Sequence, residues 1–152
     1  MSYEIFLALH ILGAIVWIGG GVTMAVLTER ARRANDTARV VSLVDDSEWM
    51  GMRFFFPASL VLLVAGILLV IIGQWPWSTP WVVIGIAGFV ASAVLGSAFV
   101  SKTAKQVHEL IGQRGTDDPD VRSGLDRLVL LSRVDLVILL LVVLDMTLKP
   151  GT

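Results

Sequence analysis

Long apolar runs alternate with short polar ones along the chain. Residues 5–27, 54–73, 81–100 and 128–148 each reach the roughly 20 helical residues needed to cross about 30 Å of hydrocarbon. They predict four transmembrane helices. No Lys or Arg precedes the first run, and it exceeds the roughly 7 to 15 apolar residues of a signal-peptide core, so it reads as a retained helix.

The connections differ in charge. Residues 28–53 hold Arg30, Arg32, Arg33, Arg39 and Arg53, and residues 101–127 hold Lys102, Lys105, Arg114, Arg122 and Arg127. Residues 1–4 and 74–80 hold no basic residue, and the C-terminal tail has only Lys149. The positive-inside rule then places both long connections in the cytoplasm and both termini outside. Residues 28–43 read as a helical continuation of the first span and residues 101–114 as one of the third. Gly115-Thr-Asp-Asp-Pro119 breaks the chain, with Asp118 as N-cap and Pro119 in the first helical position. On the other side, residues 74–80 set Trp75, Trp77 and Trp81 at the headgroup level, and their two prolines force a tight hairpin. The expected architecture is all-α: an integral membrane up-down-up-down four-helix bundle, one domain over residues 1–152, multi-pass in the bacterial inner membrane.

Composition agrees with the pattern. The chain is 55% hydrophobic and 16% charged, against about 25% charged in an ordinary soluble domain. A soluble enzyme is excluded. The net charge of -1 gives no basic field for nucleic acid, and the absence of Cys removes disulfides, thiolate metal sites and covalent haem attachment. Phosphate-binding loops, zincin helices and serine-nucleophile elbows are absent from the sequence. The lipid bilayer is the expected partner, together with a membrane protein or a second copy of the chain.

Without a hydrophobic drive between helices in lipid, small residues at helical spacing mark packing faces. Gly85, Gly88, Ser92 and Gly96 form one on the third span, and Ala58, Ala65, Gly66 and Gly73 a weaker one on the second. Ionisable residues at membrane depth are candidates for function because each needs a partner. His10 lies in the first span, and Arg133, Asp135 and Asp145 in the fourth, with Lys149 at its end. At 100° per residue, His10, Gly13, Ala14, Trp17, Gly20, Gly21 and Met24 share one sector. Two readings stand for it. His10 either hydrogen-bonds a neighbouring helix across close-packed glycines, or ligates a metal or haem iron with the glycines leaving room for a porphyrin. Asp135, Ile138, Val142, Asp145 and Lys149 form the matching sector of the fourth span, where Asp145 and Lys149 are spaced as an ion pair. His10 and Asp145 fall at similar depth and could meet. Arg133 and Asp135 read as anchors of the cytoplasmic end, and His108 as a solvated surface residue.

The stretch Leu9-His-Ile-Leu-Gly-Ala-Ile-Val-Trp-Ile-Gly-Gly20 and the closing Asp145-Met-Thr-Leu-Lys-Pro150 resemble a family of small bacterial membrane proteins, domain of unknown function 2269, over nearly the whole chain. More distantly, the first-helix motif is similar to copper-resistance D domains and to haem-dependent membrane protoporphyrinogen oxidases. The resemblance implies haem b with His10 as the metal ligand, and the first reading becomes a b-type haem or redox-linked protein with Gly13, Trp17, Gly20, Met24, Asp145 and Met146 as pocket candidates. The alternative is a non-catalytic accessory or docking subunit of a larger membrane complex. With one intramembrane His per chain, two histidine ligands would require a dimer.

Overall fold

The computed structural model describes residues 2–151, which form helices and turns without a strand among them. Met1 and Thr152, at the termini expected outside, lie beyond the described residues. Helix α1 is Ser2–Arg33, α2 Thr37–Ile72, α3 Pro80–Arg114 and α4 Pro119–Leu148. By length and composition α1, α2 and α3 can each cross a membrane. Helix α4 is as long but carries Arg133, Asp135 and Asp145 within its apolar stretch.

One helix boundary differs from the expectation. Residues 28–33 continue the first span as expected, but α1 stops at Arg33, and residues 37–43 open α2 instead. Asn35 turns the chain through a left-handed φ of 53°, which Asn tolerates better than most residues. The Asp36 carboxylate then accepts the Arg39 N–H at 2.9 Å and caps the next helix. The other boundaries follow the sequence. Gln74 turns left-handed after α2, and the Thr79 carbonyl accepts the Val82 and Val83 N–H groups at the start of α3. Asp118 caps α4 by accepting the Asp120 N–H at 2.8 Å.

Two π-helical turns interrupt the long helices. Gly51–Phe55 in α2 lies just before Pro57, which lacks an N–H and crowds the carbonyl four residues back, so a wider turn relieves the clash. Leu95–Val100 in α3 changes the phase of everything beyond it. Gly96, expected on the packing face with Gly85, Gly88 and Ser92, lies inside this turn and faces open space.

Helix α1 packs on α2, and α3 on α4, while α1 also touches α4. Both main seams use small residues. On α1, a Cβ at Gly13 would press on the Ala58 carbonyl and Leu62 of α2, and one at Gly20 would collide with the Phe55 ring. On α3, Cβ atoms at Gly85 and Gly88 would collide with Met146 and Val142 of α4.

Past the apolar stretches the helices build a second core of a different kind. Ala31, Val40, Leu43, Val107, Val121, Leu125 and Leu128 are buried together, with Met24, Val100 and Leu110 packed against them. Apart from Ala31 the buried ones are branched side chains, as in a soluble bundle. The apolar stretches of α1 and α2 instead leave Leu12, Ile15, Val64 and other large apolar residues on the outside, as a lipid solvent requires.

Candidate functional site

The seven candidate residues are not gathered into one pocket. His10 sits on the α1–α2 seam, where its Nδ1–H donates to the Leu62 carbonyl at 2.9 Å. That carbonyl lies one helical turn before Gly66, and the imidazole occupies the space a Cβ there would take, 3.0 Å from Cε1 and 3.1 Å from Nδ1. A carbonyl has two lone pairs, so Leu62 serves both its own helix and the imidazole. The bond fixes the tautomer: Nε2 keeps the free lone pair.

Gly13 and Gly20 belong to the same seam. The room their missing side chains provide is filled by Ala58, Leu62 and Phe55, so within one chain these glycines do not leave a slot for a flat macrocycle. Trp17 turns across the bundle and meets Phe89 of α3 edge-on, centroids 5.4 Å apart and planes at 78°. Met24 packs against the second core. Met146 covers Gly85 and joins Val70, Trp81 and Val82 in a small cluster at the opposite end of the bundle.

Asp145 is buried against α3, with Oδ2 4.0 Å from where a Gly85 Cβ would stand. It does not hydrogen-bond His10. Nor do Asp145 and Lys149 pair through their side chains: Lys149 adopts a left-handed φ of 45° and gives its backbone N–H to the Asp145 carbonyl at 2.8 Å. Its ammonium lies over the Trp75 and Trp81 rings, 5.5 and 5.4 Å from their centroids. Among the described residues the buried side-chain polar atoms without a hydrogen bond are Asp145 Oδ2 and Trp81 Nε1. Both belong to this end of the α3–α4 seam, where the sequence marked Asp145 as a functional candidate and Trp81 only as a headgroup-level aromatic.

Other polar contacts were not legible in the sequence. Ser92 Oγ–H donates to Asp135, tying α3 to α4 midway along the seam. Arg133 of α4 meets Glu29 of α1 at 2.6 Å, so it bridges helices rather than only anchoring an end. Glu29 also holds Arg33 at 2.9 Å and Arg32 at 3.6 Å, and Arg32 reaches Asp126 at 2.7 Å. The Arg33 hydrogen bond, with Arg133 and Arg32 beside it, keeps the Glu29 carboxyl below the usual carboxylate range. His108, expected to be solvated, is exposed and lies 3.4 Å from Asp45 across α3 and α2.

The described residues contain no cluster of three or more His, Cys, Asp or Glu side chains arranged to hold a metal. His10 therefore offers a single nitrogen. Comparison with curated proteins and with solved structures gave no match. Residues 4–150 match the family model described as "Predicted integral membrane protein (DUF2269)". With its apolar helices and nearly full-length match, the chain belongs to the DUF2269 family of integral membrane proteins.

Proposed function

We propose that this protein is a four-span, up-down-up-down protein of the bacterial inner membrane with both termini outside, acting as a non-catalytic subunit that docks with a membrane-protein partner or a second copy. One observation carries the functional part: His10, Gly13 and Gly20 of the first-helix motif are consumed within the chain, while Gly19 faces open space. His10 is satisfied by Leu62, and the space at Gly13 and Gly20 is filled by α2. What remains for function is the surface.

The topology has separate support. His10, Gly13 and Gly20 meet Leu62, Ala58 and Phe55 in descending order, and Gly85, Gly88 and Ser92 meet Met146, Val142 and Asp135 likewise. Neighbouring helices that pair in this sense run in opposite directions. Helix α4 fits as the fourth span because Asp135 and Asp145 face α3 and Arg133 meets Glu29, while Val137, Leu140, Leu141 and Leu144 face outward. Ten basic residues in the two long connections give the orientation.

A second reading, a b-type haem protein, keeps one specific observation in its favour. A histidine whose Nδ1–H is held by a carbonyl is oriented to ligate through Nε2. A haem bound there would supply one-electron redox chemistry. The absorption spectrum of protein purified from cells supplied with haem precursor separates the two. The subunit reading expects no Soret band and, from cross-linking in intact membranes, one discrete larger species. A Soret band in wild type that is lost in a folded His10→Ala variant overturns it.

A further inference from the structure

We propose that the groove between α1 and α4 beside Glu29 is a binding site for an anionic phospholipid. The groove encloses about 520 Å³ and changes character along its length. One end is apolar, lined by Val22, Val26 and Leu136; the other is basic, lined by Arg30, Arg33 and Arg133. From Val22 to Arg30 the helix rises about 12 Å, the distance from a headgroup phosphate into the upper acyl chain. An anionic amphiphile matches both ends at once.

The charge at the polar end favours an anion. Three guanidinium groups stand there against the single carboxylate of Glu29. Glu29 already binds Arg33 and Arg133, whereas Arg30 is exposed and has no ion-pair partner among the described residues. The Glu29–Arg133 contact joins α1 to α4 across the groove, so the basic end is preformed rather than two separate flexible arms. Basic pockets between spans at the cytoplasmic face suit phospholipid headgroups, and the groove lies where residues 28–53 begin. The proposal rests on the spanning reading above, because only a helix pair in a bilayer presents both ends to a lipid.

Native mass spectrometry of the full-length protein in mild detergent tests it, with phosphatidylglycerol and phosphatidylcholine of equal chain length added in competition. Wild type is expected to retain one phosphatidylglycerol in preference to phosphatidylcholine. Arg30→Gln should weaken that retention about fivefold, and Arg39→Gln, whose side chain lies off the groove, should leave it unchanged. Val26→Asp should weaken it through the apolar end. Equal retention of the two lipids, or equal loss in the Arg30 and Arg39 variants, overturns the proposal. So does displacement by millimolar glycerol 3-phosphate, which would make the site one for a free phosphate. Extraction by alkaline carbonate is the separate check on the spanning reading: a chain that resists extraction yet shows no lipid preference refutes the lipid site alone.

Discussion

His10 reaches the Leu62 carbonyl across the space that Gly66, one turn further along α2, leaves by having no side chain. The two helices are thus clamped by a hydrogen bond whose geometry depends on a third residue. Alanine at position 66 would press on the ring and weaken the bond. The same change gains helix propensity, by up to about 1 kcal/mol in water. Gly66→Ala should therefore lower the thermal midpoint in detergent when His10 is present and should be neutral or stabilising in a His10→Ala background. A change of sign between the two backgrounds is the expected result; the same loss in both would dissociate Gly66 from the clamp.

The seam between α3 and α4 offers a sharper steric contrast. Leucine at Gly88 must displace Val142, while leucine at Gly96 enters open space. Gly88→Leu should abolish detergent-stable folding, and Gly96→Leu should leave it intact, as judged by size-exclusion profile and melting. Failure of both variants together would mean that the face at the π-turn is packed after all.

Most of the fold is readable from the amino-acid sequence because hydrocarbon imposes a length and a polarity on each span, and Trp, Pro and Asp mark the turns. The α4 sector of Asp135, Ile138, Val142 and Asp145 does face α3, as 100° spacing requires. What the residue pattern missed or left open has physical causes. Helical spacing assumes 3.6 residues per turn, and Gly96 lies inside the π-turn Leu95–Val100, where that spacing does not hold. A glycine stripe also looks the same whether a cofactor or a neighbouring helix fills it, and here Phe55, Ala58 and Leu62 do. Finally, a backbone carbonyl such as that of Leu62 leaves no mark in a residue pattern.

Ser92 and Asp135 form a side-chain bond within the spanning region. Interhelical bonds of this kind are worth about 0.6 to 2 kcal/mol in membranes. A cycle built from Ser92→Ala, Asp135→Asn and the double variant should give a coupling in that range. Additive losses would show that the two residues contribute independently.

Glu29 gives the protein an acid sensitivity with a defined sign. Its folded carboxyl titrates below the ordinary Glu value of about 4.3, chiefly because Arg33 donates to it. The unfolded chain therefore binds a proton at higher pH than the folded one. The stabilisation is complete above the ordinary value and fades as pH falls through the lowered one. Melting followed from pH 7 to pH 3 should show a loss below about pH 4.3 that is smaller in Glu29→Gln. An identical pH profile in the variant would place the acid sensitivity elsewhere.

The second core and the exposed apolar flank of α4 should respond differently to truncation. Leu125 is buried in the second core beside Val121, where removing methyl groups leaves a cavity that water-driven packing had closed. Leu141 is 58% exposed on the apolar flank of α4, and lipid tails can fill the space its side chain vacates. Leu125→Ala should cost about 2 to 5 kcal/mol, whereas Leu141→Ala should stay within about 0.5 kcal/mol. Reversible unfolding in mixed micelles measures both. Equal costs would mean that the flank of α4 is covered by protein rather than lipid, and the docking surface of the subunit would then lie on that flank.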